Sequence, residues 1–175
     1  MDTEVGRLLD QLDLNGLADD TIVVLLSDHG ENMGAHLMIE KDHSMYEELI
    51  GIPFVMGFPG HIDAGRTSDA LFSTVDLVAT VGDLCDVCVN DGVGMNFGDV
   101  LVSGDPGPRD AILSEFYSHF ADQHQFVKTV RADRWKVNLF LLDGSELYDL
   151  QDDPYEMTNL IGSESLAATR AELLD

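Results

Sequence analysis

The sequence predicts an α/β region followed by a small α+β region, and three observations carry that reading. The run Thr21-Ile22-Val23-Val24-Leu25-Leu26 is short, continuous and rich in β-branched residues, and it stops abruptly at Ser27-Asp28-His29-Gly30. Such a run fits a strand buried on both faces, as in a parallel sheet covered by helices. Helical periodicity flanks it, and beyond Pro108 the chain changes to short apolar runs divided by turn signals. The boundary is therefore expected at 108/109, with an α/β portion over 1–108 and a small α+β subdomain over 109–175.

Residues 4–14 place Val5, Leu8, Leu9 and Leu12 on one helical stripe, stopped by Asn15-Gly16. Residues 31–43 are polar and irregular, and read as loop. A short helix is expected over 44–49, with Ser44 as N-cap and Glu47 closing a capping box. Pro53-Phe54-Val55-Met56 reads as a second strand, closed by Pro59-Gly60. Residues 74–84 read as a helix turning Val75, Val78, Ala79 and Leu84 inward, and residues 90–108, rich in Gly, Asp and Pro, as loop. Strands are expected over 111–116, 126–131, 136–142 and 146–150, with Asp143-Gly144 marking a turn, and a helix closes the chain over 166–174.

The 33 acidic residues against 9 Lys and Arg give a net charge of -24. A field of that sign repels nucleic acid and anionic membrane, so neither is an expected partner. The acids are scattered, whereas an acidic interaction tail carries them in blocks. Scattered acid with only three Lys suits a halophilic protein, because concentrated salt screens the repulsion within a few ångströms. No run of 18 apolar residues occurs, and the acidic N-terminus lacks the basic start of a signal peptide. A cytoplasmic location is expected if the chain is complete as given. Cys85 and Cys88 form one C-x-x-C without a second ligand pair, and read as two small buried hydrophobes.

Ligand sites of open parallel sheets lie at the carboxyl ends of strands. Asp28 and His29 stand there, and a turn permitted by Gly30 can bring an anionic oxygen and a neutral nitrogen toward one ion. By itself Asp-His-Gly is a weak signal and reads sooner as an ordinary polar strand-to-loop junction.

The wider pattern resembles the sulfatase family of the alkaline-phosphatase superfamily. The segment from Asp20 to Glu31 resembles the family's metal-ligand strand. Lys41 and Met45-Tyr46-Glu47-Glu48-Leu49-Ile50-Gly51-Ile52-Pro53 resemble its lysine, Tyr-Glu helix and Val-Pro strand. Pro59-Gly60 with Ala64-Gly65-Arg66 is similar to its Pro-Gly…Ala-Gly-Arg turn, and Val75-Asp76-Leu77 to its "VDL" helix, with Ala79-Thr80 in place of Pro-Thr. Glu146-Leu147-Tyr148-Asp149-Leu150, Asp153-Pro154-Tyr155-Glu156 and Asn159-Leu160 are similar to its C-terminal "ELYDL…DP.E..NL" pattern, which reads as packing, with Asp153-Pro154 setting a turn. The motifs occur in family order over essentially the whole chain.

The resemblance implies an alkaline-phosphatase-like sandwich, mostly parallel sheet with helices, plus a small C-terminal antiparallel sheet and terminal helix. It implies metal-dependent hydrolysis of sulfate esters, with a phosphate or phosphonate ester hydrolase and a non-catalytic binding remnant as alternatives. Asp28 and His29 resemble metal ligands, and Lys41 resembles the lysine that binds the ester's anionic oxygens and stabilises developing charge. His43 is a candidate substrate contact or merely the residue before the helix cap; for His36, ligand and loop readings stay open. His61, His119 and His124 read as structural or exposed.

The implied cofactor is a divalent ion. Calcium is the commonest in the family, while the imidazole of His29 suits manganese, magnesium or zinc better. The implied partner is a small-molecule sulfate or phosphate ester, with an N-terminal half or a second copy as an associating chain. The family's nucleophile sits in a Cys/Ser-x-Pro-x-Arg motif, where it becomes formylglycine, and no such motif occurs in these 175 residues. The family's first pair of acidic ligands likewise has no counterpart before residue 20. The chain is therefore expected to supply half a site and to be inactive alone.

Overall fold

A computed structural model describes all residues except 42–43, 90–91, 118–125 and 142–143. The described residues form two compact units. One comprises Met1–Leu26 and Pro53–Pro108, the other Ser27–Ile52 and Arg109–Asp175. The candidate ligand turn thus belongs to the same unit as the C-terminal sheet.

In the first unit, helix α1 (Asp2–Leu14) ends at Asn15, and Gly16 takes the left-handed φ of 65° that the stop requires. Leu8 and Leu9 of its apolar stripe are exposed. Strand β1 (Val23–Leu26) pairs with β2 (Phe54–Gly57) in antiparallel register, Val24 opposite Met56. The apolar run identified a strand correctly, but hydrophobicity does not encode the direction of a neighbour.

Helix α3 (Asp76–Leu84) buries a polar face, contrary to the expected apolar one. Asp76 and Thr80 are fully enclosed, while Val75 and Val78 are exposed. The reason is backbone accounting in the segments on either side of the helix. The Asp76 carboxylate accepts the N–H groups of Ser73 at 2.7 Å and Met95 at 2.8 Å. Thr80 Oγ1 accepts the N–H of Phe97 at 3.1 Å and donates to the Asp76 carbonyl at 2.8 Å. Inside the stretch read as loop, α4 (Gly98–Ser103) forms, because Phe97 and Val100 give that Gly- and Asp-rich segment a buried anchor. Phe97 packs edge-on to Phe72, which stacks on Phe54.

The second unit contains the expected meander, β3 (Ala111–Tyr117), β4 (Phe126–Ala132), β5 (Trp135–Phe140) and β6 (Glu146–Asp149), in order and all antiparallel. Val127, Val137, Leu147 and Tyr148 form its core. Thr129 and Asn138 face each other across β4 and β5, fully buried and joined by a 2.8 Å hydrogen bond. The Asn159 side chain accepts the N–H of Leu147 at 3.1 Å, and Leu160 N–H donates to the Leu147 carbonyl at 2.8 Å. The Asn-Leu end of the C-terminal motif therefore satisfies the outer edge of β6. Asp153 sets its turn as expected, accepting the Thr158 N–H at 2.7 Å. Helix α5 (Ala167–Leu174) packs on β4.

Arg134 forks onto Asp149 through two bonds of 2.9 and 2.5 Å, which holds the Asp149 carboxyl below its usual range. A carboxyl lowered in the folded state adds stability above its unfolded pKa and loses it as pH falls through the folded value. Thermal melts should therefore decline as pH drops below about 3.8. Arg134→Ala should flatten that decline; an unchanged slope would remove Asp149 as its source.

Candidate functional site

Ser27 opens the turn by donating its hydroxyl to the His29 carbonyl at 2.6 Å, and the His29 N–H donates to Asp28 Oδ1 at 3.0 Å. These short-range bonds turn both adjacent side chains to one side. His29 Nδ1 lies 2.7 Å from the Gly30 carbonyl. A carbonyl only accepts, so Nδ1 carries the proton and Nε2 presents a lone pair. That lone pair faces the Lys41 ammonium at 2.9 Å, and Asp28 Oδ2 stands 3.6 Å from the same nitrogen. The Asp28 carboxyl is held below its ordinary range, chiefly by the His29 backbone N–H it accepts. Its side chain is 87% exposed, so this small cluster opens to solvent.

The next residues dock the turn onto α2 (Glu47–Ile50). Gly30 N–H donates to the Leu49 carbonyl at 2.8 Å and Glu31 N–H to the Glu48 carbonyl at 3.0 Å. The approach is so close that a Cβ on Gly30 would fall on the Glu48 carbonyl oxygen. Gly30→Ala should consequently cost about 1–3 kcal/mol, the usual toll of overpacking. The same change should shift the ring signals of His29 in an NMR spectrum of the full chain. A variant with wild-type stability and wild-type His29 signals would show that the close docking is dispensable.

Residues 32–40 arch between the turn and Lys41, closed by a 2.7 Å bond from the buried Asn32 side chain to the Glu40 carbonyl. His36 adopts a left-handed φ of 52°, stacks on Tyr46 at 3.7 Å and points Nε2 toward Glu48 at 3.9 Å. The structure therefore keeps His36 apart from Asp28 and His29 in bonding terms, as a packed aromatic of the loop. His43 lies outside the described residues, as do His119 and His124. His61 stacks on Phe58 at 3.9 Å. Cys85 and Cys88 are both exposed, not the buried pair the sequence suggested. Among the described residues, no group of three or more His, Cys, Asp or Glu is placed to hold an ion. Among the described residues no helix is long and apolar enough to cross a membrane.

The expected capping box does not form. Tyr46, not Ser44, precedes the first helical residue. The Glu47 carboxylate is instead engaged by Lys136 at 3.1 Å and Arg131 at 3.6 Å. The N–H of Glu47 finds its acceptor 109 residues downstream, in Glu156 Oε2 at 2.6 Å. Reading along the chain misses such partners; the only hints were a third lysine in an acid-rich sequence and a Glu inside a motif taken as packing.

A family profile described as "N-sulphoglucosamine sulphohydrolase, C-terminal" matches residues 34–175. The N-acetylglucosamine-6-O-sulfatase of Bacteroides thetaiotaomicron is 33% identical over 99% of this chain and 32% of its own length. A solved sulfatase-fold structure, captured in complex with its substrate D-glucosamine-2-N,6-O-disulfate, superposes with a TM-score of 0.91 at 32% identity. That superposition covers 99% of this chain and 36% of the other. The phosphonate monoester hydrolase of Agrobacterium radiobacter superposes at 0.88 with 30% identity, over 99% and 37%. The chain belongs to the sulfatase family, in the part that forms its C-terminal domain. It spans about a third of the length of the relatives it matches.

Proposed function

We propose that this chain supplies part of the ester site of a sulfuric ester hydrolase, with Asp28 and His29 as ligands of a divalent ion and Lys41 as the anchor for the ester's anionic oxygens. One observation supports this above others. An oxygen of Asp28 and the lone-pair nitrogen of His29 lie 3.6 Å apart, and that nitrogen faces the Lys41 ammonium at 2.9 Å. The donor set suits an ion, since these two groups already draw positive charge to themselves. Calcium, manganese, magnesium or zinc bound there would polarise the ester oxygens as a Lewis acid. Lys41 would hold a sulfuryl oxygen by a charge-assisted hydrogen bond, and Gly30 and Glu31, tied to α2, would keep the ligand turn from shifting. His43 is proposed to contact the same substrate.

Sulfated small molecules are the substrate class suggested by the relatives, and phosphonate or phosphate monoesters are the second reading, favoured by the phosphonate hydrolase likeness and by imidazole at position 29. The 175 residues contain no Cys/Ser-x-Pro-x-Arg, so catalysis by them alone is not proposed. Residues 1–108 are proposed to be the C-terminal portion of the catalytic α/β domain, and 109–175 its small subdomain. The deciding assay compares an aryl sulfate with an aryl phosphate, using the complete product of the gene. Faster turnover of the sulfate is expected; preference for the phosphate would install the second reading, and wild-type rates in Asp28→Asn would end both. The acid-rich surface is proposed to suit concentrated salt, so the melting temperature should climb between low and molar salt.

A further inference from the structure

The second unit buries charge where a core is ordinarily apolar. The Lys136 and Glu156 side chains are fully enclosed, with Nζ and Oε1 2.8 Å apart, and Lys136 also reaches Glu47 Oε1 at 3.1 Å. The other Glu156 oxygen accepts the backbone N–H of Glu47, the first residue of α2, at 2.6 Å. Glu156 holds a left-handed φ of 53°, a conformation side chains other than Gly rarely adopt. Its own turn is fixed by its N–H to the Asp153 carbonyl at 3.1 Å.

Stability alone explains little of this arrangement, since replacing a buried ion pair with apolar side chains is often neutral or favourable. Apolar side chains cannot, however, accept a helix's first N–H or fix where that helix begins. The carbonyls of α2 then carry the position onward. Leu49 and Glu48 receive the N–H groups of Gly30 and Glu31, the two residues that follow His29. Two hydrogen-bonded steps therefore separate a buried carboxylate from the ligand turn, and Glu156 touches neither Asp28 nor His29.

We propose that Glu156, held by Lys136 and Glu47, is a positioning residue for the Asp28–His29 turn and acts on it through α2. The inference rests on that turn being the ester site, and assigns the "DP.E" part of the C-terminal motif a duty beyond packing. The test is amide hydrogen exchange, read by NMR on the full chain, for wild type and Glu156→Gln, which keeps the size and an acceptor oxygen but removes the charge that holds Lys136. Exchange at Gly30 and Glu31 should rise about ten-fold while Val137 and Leu147 change less than about two-fold, because only the local opening is affected. A uniform rise at all four amides, or no rise at Gly30 and Glu31, would overturn the proposal.

If Glu156→Gln does not fold, Glu156→Asp decides, since it keeps a carboxylate beside Lys136 but is one methylene shorter and withdraws from the Glu47 N–H. A rise of about three-fold confined to Gly30 and Glu31 is then expected, and none would be a refutation. The ester-site reading is checked separately by whether Mn2+ perturbs His29 in the wild type. Absence of that response beside the expected exchange pattern would sink the site assignment and still support the mechanical coupling.

Discussion

Lys136→Met should destabilise the second unit by about 3–5 kcal/mol, the cost of stripping the partner from a buried charge. That is a large share of a domain's total stability of about 5–15 kcal/mol. Lys136 is wholly enclosed and compensates two carboxylates, Glu47 and Glu156. Burial already pushes the Glu156 carboxyl above its ordinary range, with the Lys136 charge working against that rise. Without the lysine the rise must grow. An acid whose folded pKa lies above its unfolded one favours folding below the unfolded value and loses that contribution as pH climbs through the folded value. The variant should therefore be weakest at neutral pH and recover part of its deficit near pH 4.5 and below. Urea titrations at both pH values measure this. Pairing the change with Glu156→Leu should restore part of the stability at neutral pH by removing the unpaired buried charge, while the Glu47 N–H still loses its acceptor. A single variant as stable as wild type at pH 7 would mean that the pair is not buried in solution.

Lys41→Ala should lower kcat/KM for a sulfate ester about 10²–10³-fold in the gene's complete product, the usual loss for one donor aimed at developing charge. The chain contains three lysines. Lys128 pairs with Glu115 at 2.7 Å and Lys136 with two glutamates, whereas Lys41 has no carboxylate at ion-pair distance among the described residues. Its charge is thus available to a ligand. The side chain is exposed, so stability should hold within about 0.5 kcal/mol and the loss will read as kinetic. Lys41→Arg should rescue poorly, because a planar fork does not reproduce a point charge. Full activity in Lys41→Ala would remove this residue from the reaction.

Much of the fold was legible because it follows local rules. The meander appears where short apolar runs alternate with turn residues, and Asn15-Gly16 stops α1 as its chemistry demands. What stayed hidden depends on partners distant in sequence. Glu47 reads as half of a capping box until Lys136 and Arg131 claim its carboxylate. Asp76 and Thr80 read as the wet side of α3 until the N–H groups of Met95 and Phe97 require acceptors. Helix α4 needs Phe97 buried, which no periodicity announces. At the candidate site, Asp28, His29 and Lys41 were legible as a set. The proton on Nδ1, the docking of Gly30 on α2 and the buried carboxylate behind it were not, since each is a matter of distance.

The most direct test of the central claim follows the His29 ring. With histidine nitrogens labelled in the full chain, the wild type should show a proton on Nδ1 and an unprotonated Nε2. Added Mn2+ should broaden the His29 signals well before those of His61, and Asp28→Asn should abolish that selectivity. Equal broadening of both histidines, or selectivity that survives the loss of the Asp28 carboxylate, would contradict the assignment of this turn as an ion-binding ester site.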